Sequence, residues 1–301
     1  MTEPADPPFQ DELQLRDALP RPPRLENIAT TGVWIVQWRR EHGPRPGSAL
    51  QRWLDARHPG WSRLVDCQGR TDLVSAIKGA TWFARDGKAS PVLHLDADCD
   101  ARGLVGPDRD GGSEVVAWEE LAPHLARLNV ATRGNLVLVC TAGDGVAARL
   151  AAAARGRSPC MAVIAPALAG SPPPAPWLMA IQRLYRCWHA GQPGLEEAST
   201  SLAPARMEAV SMPAQLHERL VSDLLAATRP GHRDGAGGAA ALLSALGAES
   251  GGAVSWRALP RRLQRHWRML FMADLYPENL GRFDYDLKRA AWHILLARGL
   301  V

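Results

Sequence analysis

Two short stretches of the chain concentrate the residues that could do chemistry. One is His94-Leu95-Asp96-Ala97-Asp98-Cys99-Asp100, the other Cys140-Thr141-Ala142-Gly143-Asp144-Gly145. Each closes an apolar run of strand length, and in an open α/β sheet ligands and reacting groups collect at the carboxyl ends of the strands. If the two strands are neighbours, their ends bring several carboxylates and two thiols together. Asp96, Asp98, Asp100 and Asp144 could then gather a hard cation such as Mg²⁺ or Ca²⁺, which takes oxygen ligands. A thiol held beside a base could instead serve as a nucleophile.

Plainer readings stand beside these. Asp98 and Asp100 read as a solvated loop after the strand, Asp96 as a structural hydrogen-bonding group, and Asp144 as a cap for the next helix. His94 reads as a satisfied buried histidine. Cys140 and Cys99 each lie an odd number of residues from the neighbouring site positions, so strand alternation turns them away. An EF-hand does not fit, because Arg102 takes the fifth position of a loop starting at Asp98, and Arg109 stands where the closing Glu belongs.

The elements that must position these ends read as alternating strands and helices. Strands are expected at 32–38, 91–97, 135–140 and 160–166. Helices are expected at 47–57 with Ser48 as a cap, at 70–86, from Trp118 through Asn129, at 146–155 and around 177–190. That alternation predicts a doubly wound, mainly parallel α/β sheet with helices on both faces. Residues 103–113, rich in Gly and Asp, read as a connection. The expected organisation is a flexible Pro-rich tail over 1–30, an α/β domain over 31–204 and a helical C-terminal extension over 205–301. In that extension, helices are expected at 213–228, 259–273 and 284–299, with a Gly/Ala-rich connection at 229–253 that holds one short helix.

Bulk properties narrow the class. The 301 residues, 46% of them hydrophobic, can bury a sizeable core. Five cysteines with no CxxC spacing argue for reduced thiols rather than a disulfide framework or zinc ribbon. No run is long and apolar enough for a membrane span, and the acidic, Pro-rich start does not suit a signal peptide, so a cytoplasmic location is expected. A net charge of +4, with only three lysines, gives nucleic-acid binding no special support.

The order of motifs resembles one known family, the caspase-like and CHAT-like bacterial peptidases of clan CD. In that family a strand ends in an acidic residue, a spacer and His-Gly; a helix then opens on Trp-Glu-Glu-Leu, and a later strand ends in Ala-Cys-x-Gly. Here Leu93-His94-Leu95-Asp96-Ala97-Asp98-Cys99 stands at the first position, Trp118-Glu119-Glu120-Leu121 at the second and Ala142-Gly143-Asp144-Gly145 at the third. Ala162-Val163-Ile164-Ala165-Pro166 is similar to the strand that follows, and Phe271 through Asn279, with Arg282-Phe283, is similar to the family's C-terminal stretch. The resemblance covers about residues 31–301.

It departs at the decisive positions. Asp98 stands where the family has its His, Cys99 where it has the Gly of the oxyanion hole, and Gly143 where it has the nucleophilic Cys. Thiol proteolysis needs a thiolate beside an imidazole that later protonates the leaving amine. The resemblance therefore implies a caspase-like fold without a catalytic dyad. Asp96, Asp98, Cys99, Ala142, Gly143 and Asp144 would line a binding cleft without cofactor. Its expected partner is a protein or peptide, including an active caspase-like homologue, in a bacterial defence or cell-death system. Nucleic acid and membrane are not expected partners.

Two further readings come from other classes. One is a metal-dependent hydrolase or metal-binding protein using the Asp cluster. The haloacid-dehalogenase phosphohydrolases share a strand-ending Asp-x-Asp, but the downstream Lys and acidic pair are missing here. The other is a cysteine peptidase with a relocated thiol. Arg261, Arg262, Arg265 and Arg268, with His266 and Trp267, form a basic helical face read as solvated. Trp34, Trp53, Trp82 and Trp118 read as core, and Trp61, Trp177 and Trp188 as candidates for a partner surface.

Overall fold

A computed structural model of the chain describes residues 15, 19, 30–39, 45–87, 89–141, 143, 145–167, 174–191, 202–229, 235–246, 254–283 and 285–301. Most of the expected tail over 1–30 therefore lies outside the described residues. The chain falls into two compact units, divided between Gln215 and Leu216.

The first unit is α/β. β1 (Gly32–Trp38) is buried along its whole length, as a strand covered on both faces must be. It is followed by α1 (Pro46–Arg57), β2 (Ser62–Asp66), α2 (Arg70–Gly87) and β3 (Pro91–Cys99). Then come β4 (Gly103–Pro107), β5 (Ser113–Ala117), α3 (Trp118–Ala131), β6 (Val137–Cys140), α4 (Val146–Ala153), β7 (Ala162–Pro166), α5 (Pro174–His189) and β8 (Met207–Ser211).

The strands form one mixed sheet of order β2-β1-β3-β6-β7-β8, parallel throughout except for β8, which runs antiparallel to β7. This is the mainly parallel α/β sheet, with helices on both faces, that the sequence predicts. Helix α1 covers the face bearing Ile35, whose methyl lies against Gly47, and α2 covers the opposite face, with Gly79 against Trp34. β8 places the sheet's edge beyond residue 204, so the α/β unit runs on past the expected boundary.

The stretch 103–113 is not a plain connection. β4 and β5 form a hairpin that extends β3 antiparallel, with Asp98 opposite Val105 and Cys99 opposite Leu104. Gly103 and Gly106 serve close approach, since a Cβ on Gly106 would run into the Trp38 ring, while Gly111, at φ +85°, serves the turn of the hairpin. The Trp38 indole N–H donates to Pro107 O over 2.9 Å, which fixes that contact. Asp98 accordingly lies within β3 and not in a loop after it. Ser48 does not cap α1; the helix starts at Pro46, and the Ser48 N–H donates to Gln37 Oε1 over 2.9 Å.

In the second unit, α6 (Met212–Ala227) crosses the division, followed by α7 (Gly235–Ala245), α8 (Leu259–Leu270), α9 (Asn279–Arg282) and α10 (Leu287–Ala297). Its core is aromatic: Trp267 contacts Phe271 and Tyr285, and Phe271 stacks on Phe283. Helices α8 and α10 pack together.

Candidate functional site

Parallel pairing sets what meets at the end of β3. Gln37 lies beside Asp96 and Trp38 beside Ala97, so the next residue of the chain, Arg39, arrives beside Asp98. With a period of two, Gln37, Arg39, Asp96 and Asp98 share the face covered by α1. On the other side of β3, Leu95 pairs with Cys140, and Thr141 follows onto the same face as Asp96.

The result is a closed polar knot. Arg39 Nε donates to Asp96 Oδ1 at 2.5 Å, Nη1 to Asp98 Oδ1 at 2.6 Å and Nη2 to Thr141 Oγ1 at 2.9 Å. The other Asp96 oxygen accepts from the Gly47 N–H at 2.7 Å, at the first turn of α1. The Thr141 hydroxyl donates to Asp96 Oδ1 at 3.2 Å. Asp96 is fully buried, whereas the Asp98 side chain is 63% exposed.

Burial raises the Asp96 carboxyl above its ordinary range, and the Arg39 charge, the Arg39 hydrogen bond, the Gly47 amide and the Thr141 hydroxyl pull against that rise. Burial also works against the Arg39 charge, but the two carboxylates outweigh it and raise its pKa. A buried carboxylate tolerates its position only with such partners. Arg39 is the functional residue that sequence reasoning missed. Its signal was a cation placed directly after an apolar strand, one step past a residue in register with Asp96.

The candidate nucleophile position is Gly143, with φ of +91°, a region that favours glycine. A Cβ there would fall 1.6 Å from the sulfur of Cys99, so that thiol fills the space a side chain at 143 would need. Cys99 thus turns toward Gly143, closer to the site than alternation suggests. Cys140 is fully buried; burial first, then the neighbouring Cys99 and Cys160, drives its thiol well above the usual range. Ala142 and Asp144 lie outside the described residues.

Among the described residues, Asp96, Asp98 and Asp100 do not converge on one point. Asp96 and Asp98 are turned to Arg39, while both Asp100 oxygens accept from Arg102 and Gly103, which pulls the Asp100 carboxyl below its usual range. Among the described residues, no three His, Cys, Asp or Glu side chains come together to hold a metal ion.

His94 is buried on the α1 and α5 side of the sheet, and its Nδ1 meets the Tyr185 hydroxyl at 2.7 Å. Burial, with the Arg39 charge adding to it, lowers its pKa to about 3. It is not fully satisfied as expected, since Nε2 has no hydrogen-bond partner; the nearby Trp177 Nε1 is also unpartnered. Trp177 and Trp188 are buried, not on a partner surface, because α5 lays them against the sheet and its neighbours. Trp82, expected in the core, is 61% exposed, since the buried stripe of α2 passes through Leu73, Ile77, Ala80 and Ala84 instead.

No described helix is long and apolar enough to cross a membrane. Compared with models of known protein families and with the curated proteins, the chain matches none.

Proposed function

We propose that this chain is a caspase-like protein of clan CD that binds but does not cleave. It holds a peptide in the former substrate cleft, or pairs with an active caspase-like homologue as a regulatory subunit. It would act in the cytoplasm, in a bacterial defence or cell-death system. The observation that carries the reading is Gly143: the position resembling the nucleophile has no side chain, and its space is filled by the Cys99 sulfur. The position resembling the base, Asp98, is an acceptor for Arg39 rather than a free group.

A relocated thiol is the one competing reading with an observation behind it, because Cys99 sits beside Gly143 and is not fully buried. Such chemistry requires an imidazole beside the thiol. His94, five residues back on the opposite face of β3, is neutral and bonded to Tyr185. A metal centre would have to displace the Arg39 guanidinium from both carboxylates that could hold it.

The test is retention without cleavage. Peptides bearing Arg, Lys or Asp at P1 are followed by fluorescence anisotropy, and the same samples are weighed by mass spectrometry. Intact, retained peptide supports the reading; cleaved peptide contradicts it.

A further inference from the structure

The net charge of the chain is unevenly placed. Residues 216–301 contain twelve Lys and Arg against eight Asp and Glu, while residues 1–215 are balanced. Helix α8 carries much of that excess. Leu259, Leu263, His266, Trp267 and Leu270 form its buried face, and Arg261, Arg265 and Arg268 project from the opposite one. Contrary to the sequence reading, His266 and Trp267 are thus not beside the arginines on an open face; the Trp267 indole donates to Phe283 O at 2.9 Å inside the core.

Among the described residues, the cations of this face cluster on one helix without ion-pair partners. In the α/β unit four arginines of the surface find carboxylates, Arg45 with Asp66, Arg70 with Glu120, Arg102 with Asp100 and Arg109 with Asp72, while others such as Arg52, Arg127 and Arg186 do not. Among the described residues, the side chains of Arg261, Arg262, Arg265 and Arg268 have no ion pair or hydrogen bond, and neither has that of Lys288. Lys288 belongs to the same patch, since its backbone N–H donates at 2.9 Å to Gln264, which lies between these arginines on α8. Five like charges this close repel one another, and an anion would relieve that repulsion. From Arg261 to Arg268 the stripe runs about 10 Å along the helix.

An apolar feature adjoins the stripe. Gln264, Trp267, Arg268, Phe271, Leu280 and Phe283 line a small crevice, with Arg268 as its link to the basic face. Leu280 at its edge is 41% exposed, and Leu275 nearby in sequence is 48% exposed. A phosphate backbone has no use for an apolar crevice, and the aromatic side chains that line it are buried rather than presented for base stacking.

We infer that the α8 face is a docking surface for an acidic segment of a protein partner. Carboxylates spaced by a helical turn meet Arg261, Arg265 and Arg268, and one apolar side chain of the partner rests on the exposed Leu280 at the crevice's edge. Arginine suits this task because its planar fork binds carboxylate in two places. The inference rests on α8 and its neighbours alone, and it stands or falls apart from the missing dyad.

The test uses the full chain and a fluorescein-labelled helical peptide of about sixteen residues, long enough to form a helix. It carries Glu at i, i+4 and i+7 and a single Leu one turn further on. Controls are the same peptide with every Glu changed to Gln, the same peptide with Leu changed to Ser, a single-stranded oligonucleotide of equal charge, and phosphatidylserine vesicles. The expected result is binding that weakens at least about tenfold in Arg261→Gln/Arg265→Gln/Arg268→Gln, three exposed changes that leave the circular dichroism spectrum intact. Leu280→Ser, or Ser in place of the peptide's Leu, weakens it severalfold. Binding of the Gln peptide as tight as that of the Glu peptide overturns the inference, as does indifference to the triple substitution. So does tighter binding of the oligonucleotide or the vesicles at equal salt.

Discussion

The sulfur of Cys99 stands 1.6 Å from the point where Gly143 would carry a Cβ. Cys99 and Gly143 are thus parts of one packing arrangement. A side chain at 143 has no room while Cys99 is present, and its backbone, at φ +91°, favours glycine in any case.

Placing a cysteine at 143 alone should therefore damage the protein. Gly143→Cys is expected to cost about 2–4 kcal/mol, from overpacking against Cys99 and from backbone strain. Cys99→Gly/Gly143→Cys recovers the packing part and leaves the strain. Urea unfolding of the two single variants and the double variant reads this coupling as a departure from additivity.

Arg39 is expected to be the residue on which the site's stability depends most. Arg39→Met leaves the buried Asp96 carboxylate without its cation and should cost roughly 3–5 kcal/mol. Adding Asp96→Leu to it should restore most of that loss. Asp98→Asn, on a side chain 63% exposed, should stay within about 1 kcal/mol of the parent protein. Denaturant midpoints of the four proteins check the series.

Much of the fold was legible because its central strands are continuous apolar runs and its helices carry clean apolar stripes. β1 and α2 match the expected spans within a residue or so. What escaped was short or half-exposed. β2 reads Ser-Arg-Leu-Val-Asp with no fully buried position, and β4 takes its pairing from glycines that admit Trp38 and the backbone of Val116. β8 was lost in a stretch that reads as helical. Arg39 escaped for another reason: its partner Asp96 lies 57 residues on, and only the register between two strands joins them. The turning of Asp98 and Asp100 to separate arginines likewise follows from placement, not from spacing.

His94 sets an acid limit on stability. Its folded pKa of about 3 lies far below the ordinary histidine value, so as pH falls the unfolded chain takes up a proton that the folded chain refuses. Between pH 6.5 and 3 it should thus remove up to ~1.4 kcal/mol of stability per pH unit, with full stability above 6.5. His266, lowered to about 4 by burial and then by Arg219, acts with the same sign in the other unit. Denaturant midpoints from pH 7 to pH 4 should fall, and His94→Gln should flatten part of that slope.

Divalent cations should find no site at the end of β3, where Arg39 already occupies both carboxylates. Calorimetric titration with Mg²⁺, Ca²⁺ and Mn²⁺ is expected to give no heat above buffer for the parent protein or for Asp98→Asn. Heat from the parent protein that Asp98→Asn removes would favour the metal reading.

On the proposed reading, a thiol beside an empty nucleophile position does not make a peptidase. The most direct measurement is turnover of fluorogenic peptides bearing Arg, Lys or Asp at P1 by the parent protein, Cys99→Ala and Cys140→Ala. The prediction is release no faster than in buffer and indistinguishable among the three proteins. Turnover by the parent protein that Cys99→Ala abolishes would contradict it, and would make the sulfur beside Gly143 the nucleophile.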